Sequence, residues 1–353
     1  MMKRKISASL MVAFLLAVTA GCSDNNEQVI ETDDTELTEE VEEKEEEVSP
    51  PSYTYPLSGM ETEEESNHRI VSVLINNDPA ARPQSGLSQA DLVYEILAEG
   101  TITRLVALYQ SQFPERIGPV RSAREYHVNL VKGFNGMLVA HGYSPAAQKL
   151  LQAGQVDNIN GMAYDGTLFQ RSTERKAPHN SYTTYKDIVD GFVDEKGYDI
   201  TGEVPTLAFY EHEDIHIVGN EAKKFEVNYL GNNLIQYVYD DSTGFYNRFN
   251  NNQQTVEDVT SEPIQLSNIL VVETEHTVLD NQGRRAIDLT SGGKAVLFQS
   301  GIMNEVEWES RNGQIIPVLD GEPVKLKPGS TWINVVPTSP GLEDALTIEE
   351  TVS

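Results

Sequence analysis

Residues 116–145 read RIGPVRSAREYHVNLVKGFNGMLVAHGYSP, and this stretch decides the fold. Gly118-Pro119 makes a turn. Ser122 stands three residues before Glu125, the capping-box spacing, so a helix is expected with Ser122 as its N-cap. Ala123, Tyr126, Leu130 and Phe134 recur at helical spacing and mark its buried stripe. The run 136–141 (GMLVAH) is long enough for a buried strand, and Ser144-Pro145 opens a second helix. His141 then falls at the carboxyl end of that strand, where open α/β sheets place their ligands.

The arginines do not fit a plain helix start. Arg121 and Arg124 sit at the positive end of the helix dipole, a mildly unfavourable place for a cation. Such arginines face an anion, either a carboxylate of the protein or one on a ligand. A serine nucleophile at Ser144 is rejected. The nucleophile elbow needs the N–H of the following residue, which here is Pro145, and Ala146 replaces its last glycine.

Working outward, residues 69–75, 91–98 and 101–110 read as strands. A two-residue turn at Glu99-Gly100 would set Glu95 across from Arg104, most simply as a salt bridge. Residues 157–182 form a long, weakly patterned segment carrying Arg171, Arg175, His179 and Asn180. Loops of that length are often functional, and this one could lie over the cleft. Residues 183–196 have an amphipathic helical pattern.

Beyond about residue 204 the pattern is strands alone, expected at 225–229, 234–240, 244–249, 269–278, 294–299, 304–309, 323–327 and 331–336. That spacing argues for a sandwich or barrel, with Trp308 and Trp332 as core anchors. His212 and His216 would share one strand face, but zinc needs further ligands, so no metal and no cofactor is expected.

The amino-terminal end is a targeting segment. Lys3, Arg4 and Lys5 precede a short apolar run at 10–18, and Thr19-Ala20-Gly21 leads into Cys22, the only cysteine. This is a lipoprotein signal, residues 1–21, with cleavage before Cys22 and acylation of its thiol. Residues 22–65 read as an acidic tether. From residue 23 onward it holds 17 Asp and Glu against one Lys, too charged to bury a core. Acid is also in excess on the body, which makes nucleic acid an unsuitable partner.

The expected organisation is therefore an α+β domain with a mixed sheet at 66–212, an all-β domain at 213–340 and a tail at 341–353. A fragment 213–340 is expected to fold by itself. Residues 66–210 hold eight Arg and five Lys, whereas 211–353 hold four Arg and five Lys, which leans the candidate site toward the first half.

Several runs carry a resemblance. They are Asn76-Asn77, residues 81–87 (ARPQSGL), Ala90-Asp91, residues 93–95 (VYE), Glu99-Gly100, Thr103-Arg104, residues 117–124 (IGPVRSAR), residues 178–180 (PHN) and residues 329–332 (GSTW). Over roughly residues 67–337 the chain resembles the YerB-like bacterial lipoproteins. The resemblance implies an extracytoplasmic, lipid-anchored protein of two domains divided near residue 210. It implies no reaction.

The functional expectation is a membrane-anchored binding protein. Arg104, Arg121, Ser122, Arg124, His141, Arg171, Arg175, His179 and Asn180 would meet an anionic envelope polymer, or another envelope protein. One alternative is a metal-independent hydrolase or transferase with His141 or His179 as base and Glu95 orienting it. The other is a structural interaction module whose arginines are all satisfied internally.

Overall fold

Strands with apolar residues on both faces need cover on both faces, and three early strands show it. They are β1 (Val71–Asn76), β2 (Leu92–Glu99) and β3 (Ile102–Tyr109), almost wholly buried. The computed structural model describes residues 53–349 except 212–214, 230 and 232. Antiparallel pairing joins β2 to β3 and β3 to β1. Helix α1 (Glu125–Gly133), strand β4 (Met137–Ala140), helix α2 (Pro145–Gln152) and strand β5 (Asn158–Asn160) follow. β4 and β5 extend the sheet beyond β1 in parallel. Helix α3 (Tyr185–Asp190), capped by Thr184, runs on into a π-helical turn at Gly191–Glu195.

The second half is mostly antiparallel. It supplies β6 (Lys224–Asn228), β7 (Leu234–Asp240), β8 (Phe245–Asn250), β9 (Asn268–Thr274), β10 (Gly293–Gln299), β11 (Ile302–Arg311), β12 (Gln314–Leu319), β13 (Thr331–Pro337) and β14 (Leu346–Ile348). β13 lies between β9 and β2 and pairs with both in parallel. One open sheet of twelve strands thus has ten in the order β12, β11, β10, β9, β13, β2, β3, β1, β4, β5, with Glu322–Pro323 added beyond β12 and Asn220–Glu221 beside β11. A second sheet, in the order β8, β7, β6, β14, packs on one face of the first. Phe225 of β6 stacks on Phe298 of β10 with ring centroids 3.6 Å apart. Neither sheet closes into a barrel.

The two faces of the large sheet have different cover. Val73, Val93, Leu97, Ala107 and Trp332 face the second sheet with Val227, Tyr237 and Tyr246. Leu74, Tyr94, Ile96, Val106 and Leu108 face the layer that holds Tyr126, Leu130 and Val131 of α1 and Leu151 of α2.

Four expectations need correction. The change of pattern near residue 212 separates mixed elements from strands, but not two cores, because one apolar cluster draws on both halves. The tether ends before residue 65: Tyr53–Thr54 pairs with Glu61–Thr62, and Leu57 is fully buried. The expected tail from 341 includes a short helix, Leu342–Ala345, and β14, which pairs with β6. In the β2–β3 hairpin the turn is Gly100-Thr101, with Glu99 opposite Ile102 and an irregularity between Leu97 and Glu99. Ile96, not Glu95, therefore stands opposite Arg104. A slip of one residue sends a side chain to the other face, which separates Glu95 from Arg104. Cys22, the signal, the tether as far as residue 52, His212 and residues 350–353 lie outside the described residues.

Candidate functional site

Helix α1 begins two residues later than its capping-box spacing predicts, with its N-cap at Arg124 rather than Ser122. Residues 121–123 stay extended because they pair with the segment after β4: the Ala123 N–H donates to the Gly142 carbonyl and the Ser144 N–H to the Ala123 carbonyl. Ser122 is consequently not a cap. Its hydroxyl donates to the His141 carbonyl at 3.0 Å. The N-cap is Arg124, whose N–H donates to Nδ1 of His127 at 3.1 Å. The second helix start is as expected, with Ser144 Oγ accepting from the Ala147 N–H.

This pairing brings the starts of α1 and α2 side by side over a cavity of about 460 Å³. Arg124, Glu125, Ser144 and Pro145 form one wall, and Asp280, Arg284 and Arg285 of a hairpin in the second half form the other. The hairpin is a two-stranded ribbon, His276–Val278 paired with Arg285–Ile287. Arg284 Nε donates to Asp280 at 2.5 Å, and Arg285 Nη2 to the Gly100 carbonyl at 3.0 Å. The Nε groups of both Arg124 and Arg285 are buried without a partner. Burial holds the Arg124 guanidinium below its ordinary pKa, with Tyr126 opposing and Arg284 adding like-charge repulsion. The sequence reading does not include Arg284 and Arg285; the arginine doublet after Gly283 is the one local signal that points to them.

Behind the cavity Arg124 is also held internally. Glu99 accepts from Arg124 through one oxygen and from Arg104 Nη2 through the other at 3.1 Å. Arg104, only 3% exposed, also donates to the Ser122 carbonyl at 2.6 Å. Arg104 is thus a strut between β3 and the α1 start. Arg175 is another, donating to the carbonyls of Ala81 and Pro83 and to the Tyr182 hydroxyl, and pairing with Asp258 at 3.3 Å.

Arg121 is different. Its Nε is buried without a partner, and among the described residues no hydrogen bond or ion pair reaches its guanidinium. Burial and the charge of Arg104 lower its pKa, against the pull of Asp78.

His141 lies at the end of β4 as expected, with Gly161 pressed against it. A Cβ at Gly161 would sit 2.2 Å from the imidazole. Arg171 Nη2 donates to His141 Nε2 at 2.9 Å, and Nδ1 lies 2.7 Å from Ser181 Oγ. A guanidinium can only donate, so Nε2 accepts, Nδ1 carries the proton, and that proton goes to Ser181. A base for Ser181 would need the opposite tautomer. Burial and Arg171 lower the His141 pKa, partly offset by Asp165. Arg171 is itself clamped on Asp165 at 3.0 Å and donates to Asn180 Oδ1 at 3.2 Å.

At His179, Nδ1 accepts from Asn76 Nδ2 at 2.8 Å, and Asn76 Oδ1 accepts from the Asp78 N–H, which fixes the amide. His179 therefore presents Nε2–H, a donor. Glu95 is fully buried, and neither histidine is among its hydrogen-bond partners. It accepts from Asn77, Thr103, Arg248 and Trp332, the Arg248 contact at 2.8 Å.

Comparison with known proteins places these features in a family. Residues 57–199 match the model described as Protein of unknown function (DUF3048) N-terminal domain, and residues 225–333 match the corresponding C-terminal domain. The chain is 47% identical over 286 residues, 80% of this chain and 86% of the other, to a Bacillus subtilis (strain 168) protein named "Putative lipoprotein YerB". It is also similar to the crystal structure of YerB protein from Bacillus subtilis, at 46% identity and a TM-score of 0.78, covering 84% of this chain and all of that one.

Proposed function

Because the chain belongs to the DUF3048 family and is similar over most of its length to a protein named as a lipoprotein, we propose that it is a lipid-anchored binding protein on the extracytoplasmic face. Cys22 carries the lipid, and the ligand is an envelope component bearing phosphate or carboxylate. One observation carries the ligand class: Arg124, Arg284 and Arg285 meet in a cavity at two adjacent helix starts, with idle Nε–H groups on two of them. Guanidinium forks and helix-start amides are suited to the same oxygen-rich anions. Arg121, His179 and the His141–Arg171 pair would contribute to a ligand that extends along the strand ends. Arg104 and Arg175 act in this reading as supports.

The hydrolase alternative is weaker because His141 and His179 each hold the proton arrangement of a donor. The purely structural module is weaker because Arg121 has no internal partner among the described residues.

Titration calorimetry with linear polyphosphate and with a neutral dextran of equal length tests the reading. The full chain is expected to bind the first and not the second. The double variant Arg284→Gln/Arg285→Gln is expected to bind about 10- to 100-fold more weakly, since a hydrogen bond to a charged group contributes about 1.5–3 kcal/mol. Unchanged affinity in that variant would end the proposal.

A further inference from the structure

A second pair of arginines lies elsewhere, at the seam between the two halves of the chain. Arg82 follows the first turn after β1, and Arg248 lies on β8. Both line a recess of about 90 Å³, with Asn250, Gln253, Gln254 and Thr255 around it. Arg248 is 2% exposed and stacks over the Trp332 ring at 4.7 Å. Its Nη2 pairs with Glu95 at 2.8 Å and its Nη1 donates to Thr255 at 2.7 Å, but its Nε has no partner.

Among the described residues Arg82 has only neutral hydrogen-bond partners. It donates to Asn77 Oδ1 at 3.1 Å, to the Asn77 carbonyl at 2.6 Å and to Asn250 Oδ1 at 2.5 Å. Of the two guanidiniums only Arg248 touches a carboxylate, Glu95. Burial and the neighbouring Arg248 push the Arg82 pKa down to about 10, against the pull of Glu95 and Asp78. A buried cation without a counter-ion is costly, and a bound anion removes that cost.

We propose that this recess is a binding site for one small oxyanion, of the size of inorganic phosphate or of a carboxylate, held between Arg82 and Arg248 Nε–H with the amides of Gln253 and Gln254 at its mouth. Bound there, the anion ties the 82–84 segment of the first half to β8 of the second. The site shares no lining residue with the cavity at the helix starts, so the two ideas stand or fall separately.

The test uses the full chain carrying Arg284→Gln/Arg285→Gln, so that the other cavity contributes little. Its melting temperature is measured in rising sodium phosphate, with sodium chloride at equal ionic strength as reference. A saturable rise of about 3 °C or more is expected, because a ligand that binds only the folded state stabilises it by mass action. Adding Gln254→Glu places a carboxylate at the exposed mouth. That variant should melt higher without phosphate and lose the saturable response. Thr255→Val, which removes the hydroxyl next to Arg248, serves as a second probe and should shift the half-saturating concentration. A rise that never saturates would overturn the proposal. So would no rise beyond chloride, or an equal response in the Gln254→Glu chain.

Discussion

At the residue scale, two arginines three positions apart have opposite situations. Among the described residues Arg121 has no partner, whereas Arg124 shares Glu99 with Arg104. Arg121→Ala is expected to melt within about 0.5 kcal/mol of the parent, or slightly above it, since it removes an unpaired, half-buried charge. Arg124→Ala is expected to lose about 1.5–3 kcal/mol, the contribution of a charged hydrogen bond at a partly buried site. Thermal melts of both variants check the contrast. Equal losses would show that Arg121 has an internal role.

His127 supplies a pH dependence. It is fully buried, and burial together with Arg104 and Arg124 holds its pKa well below the ordinary 6.5. As pH falls below about 6.5 the unfolded chain takes up a proton that the folded chain refuses. Stability is therefore complete above that pH and declines below it, by up to about 1.4 kcal/mol per pH unit for this one group. Denaturant melts between pH 7 and 5 should show a shallower decline for His127→Asn than for the parent. Parallel slopes would refute this assignment.

At the element scale, the segment between β5 and α3 holds only a short helix, Gly161–Tyr164, and a two-residue ribbon, Gln170–Arg171 with Ser181–Tyr182, and side chains tie it to the rest of the fold. Arg171 joins Asp165, Asn180 and His141, and Arg175 ties the loop to residues 81 and 83. The loop therefore decides the state of His141. Arg171→Gln removes the charge that depresses the imidazole and frees Nε2, so the His141 pKa is expected to rise toward 6.5. Histidine proton chemical shifts across a pH titration measure it. An unmoved value would place the cause in burial alone.

At the scale of the whole molecule, the halves are interlocked. β13 comes late in the chain yet sits between β9 and β2, and Glu95 and Arg248 form a fully buried pair across the seam. A fragment 213–340 would expose the β13 edge that β2 covers, remove the acidic partner of Arg248, and lack β14 beside β6. Such a fragment is expected to show no cooperative melt while the full chain does, contrary to what the change in strand pattern suggests. Breaking one side of a buried pair typically costs about 3–5 kcal/mol, so Arg248→Met in the full chain should also be severely destabilised. A cooperative melt of the isolated fragment would show that its own strands suffice.

Local signals were legible without coordinates because neighbours in sequence generate them. The α2 cap at Ser144-Pro145, the strand that ends just before His141 and the mixed-then-antiparallel order of elements all follow from turn chemistry and hydrophobic period. β12 went unread because Pro317 interrupts a run that otherwise reads as a strand; as Trp308's partner near the sheet edge, the proline is tolerated. Other features depend on residues far apart in the chain. The delayed start of α1 follows from pairing with residues 142–144, and the cavity needed Arg284 and Arg285 from another hairpin. Glu95 finds Arg248 at a separation of 153 residues. A carboxylate's nearest guanidinium is chosen by strand register and sheet packing, and no spacing within one stretch encodes that choice.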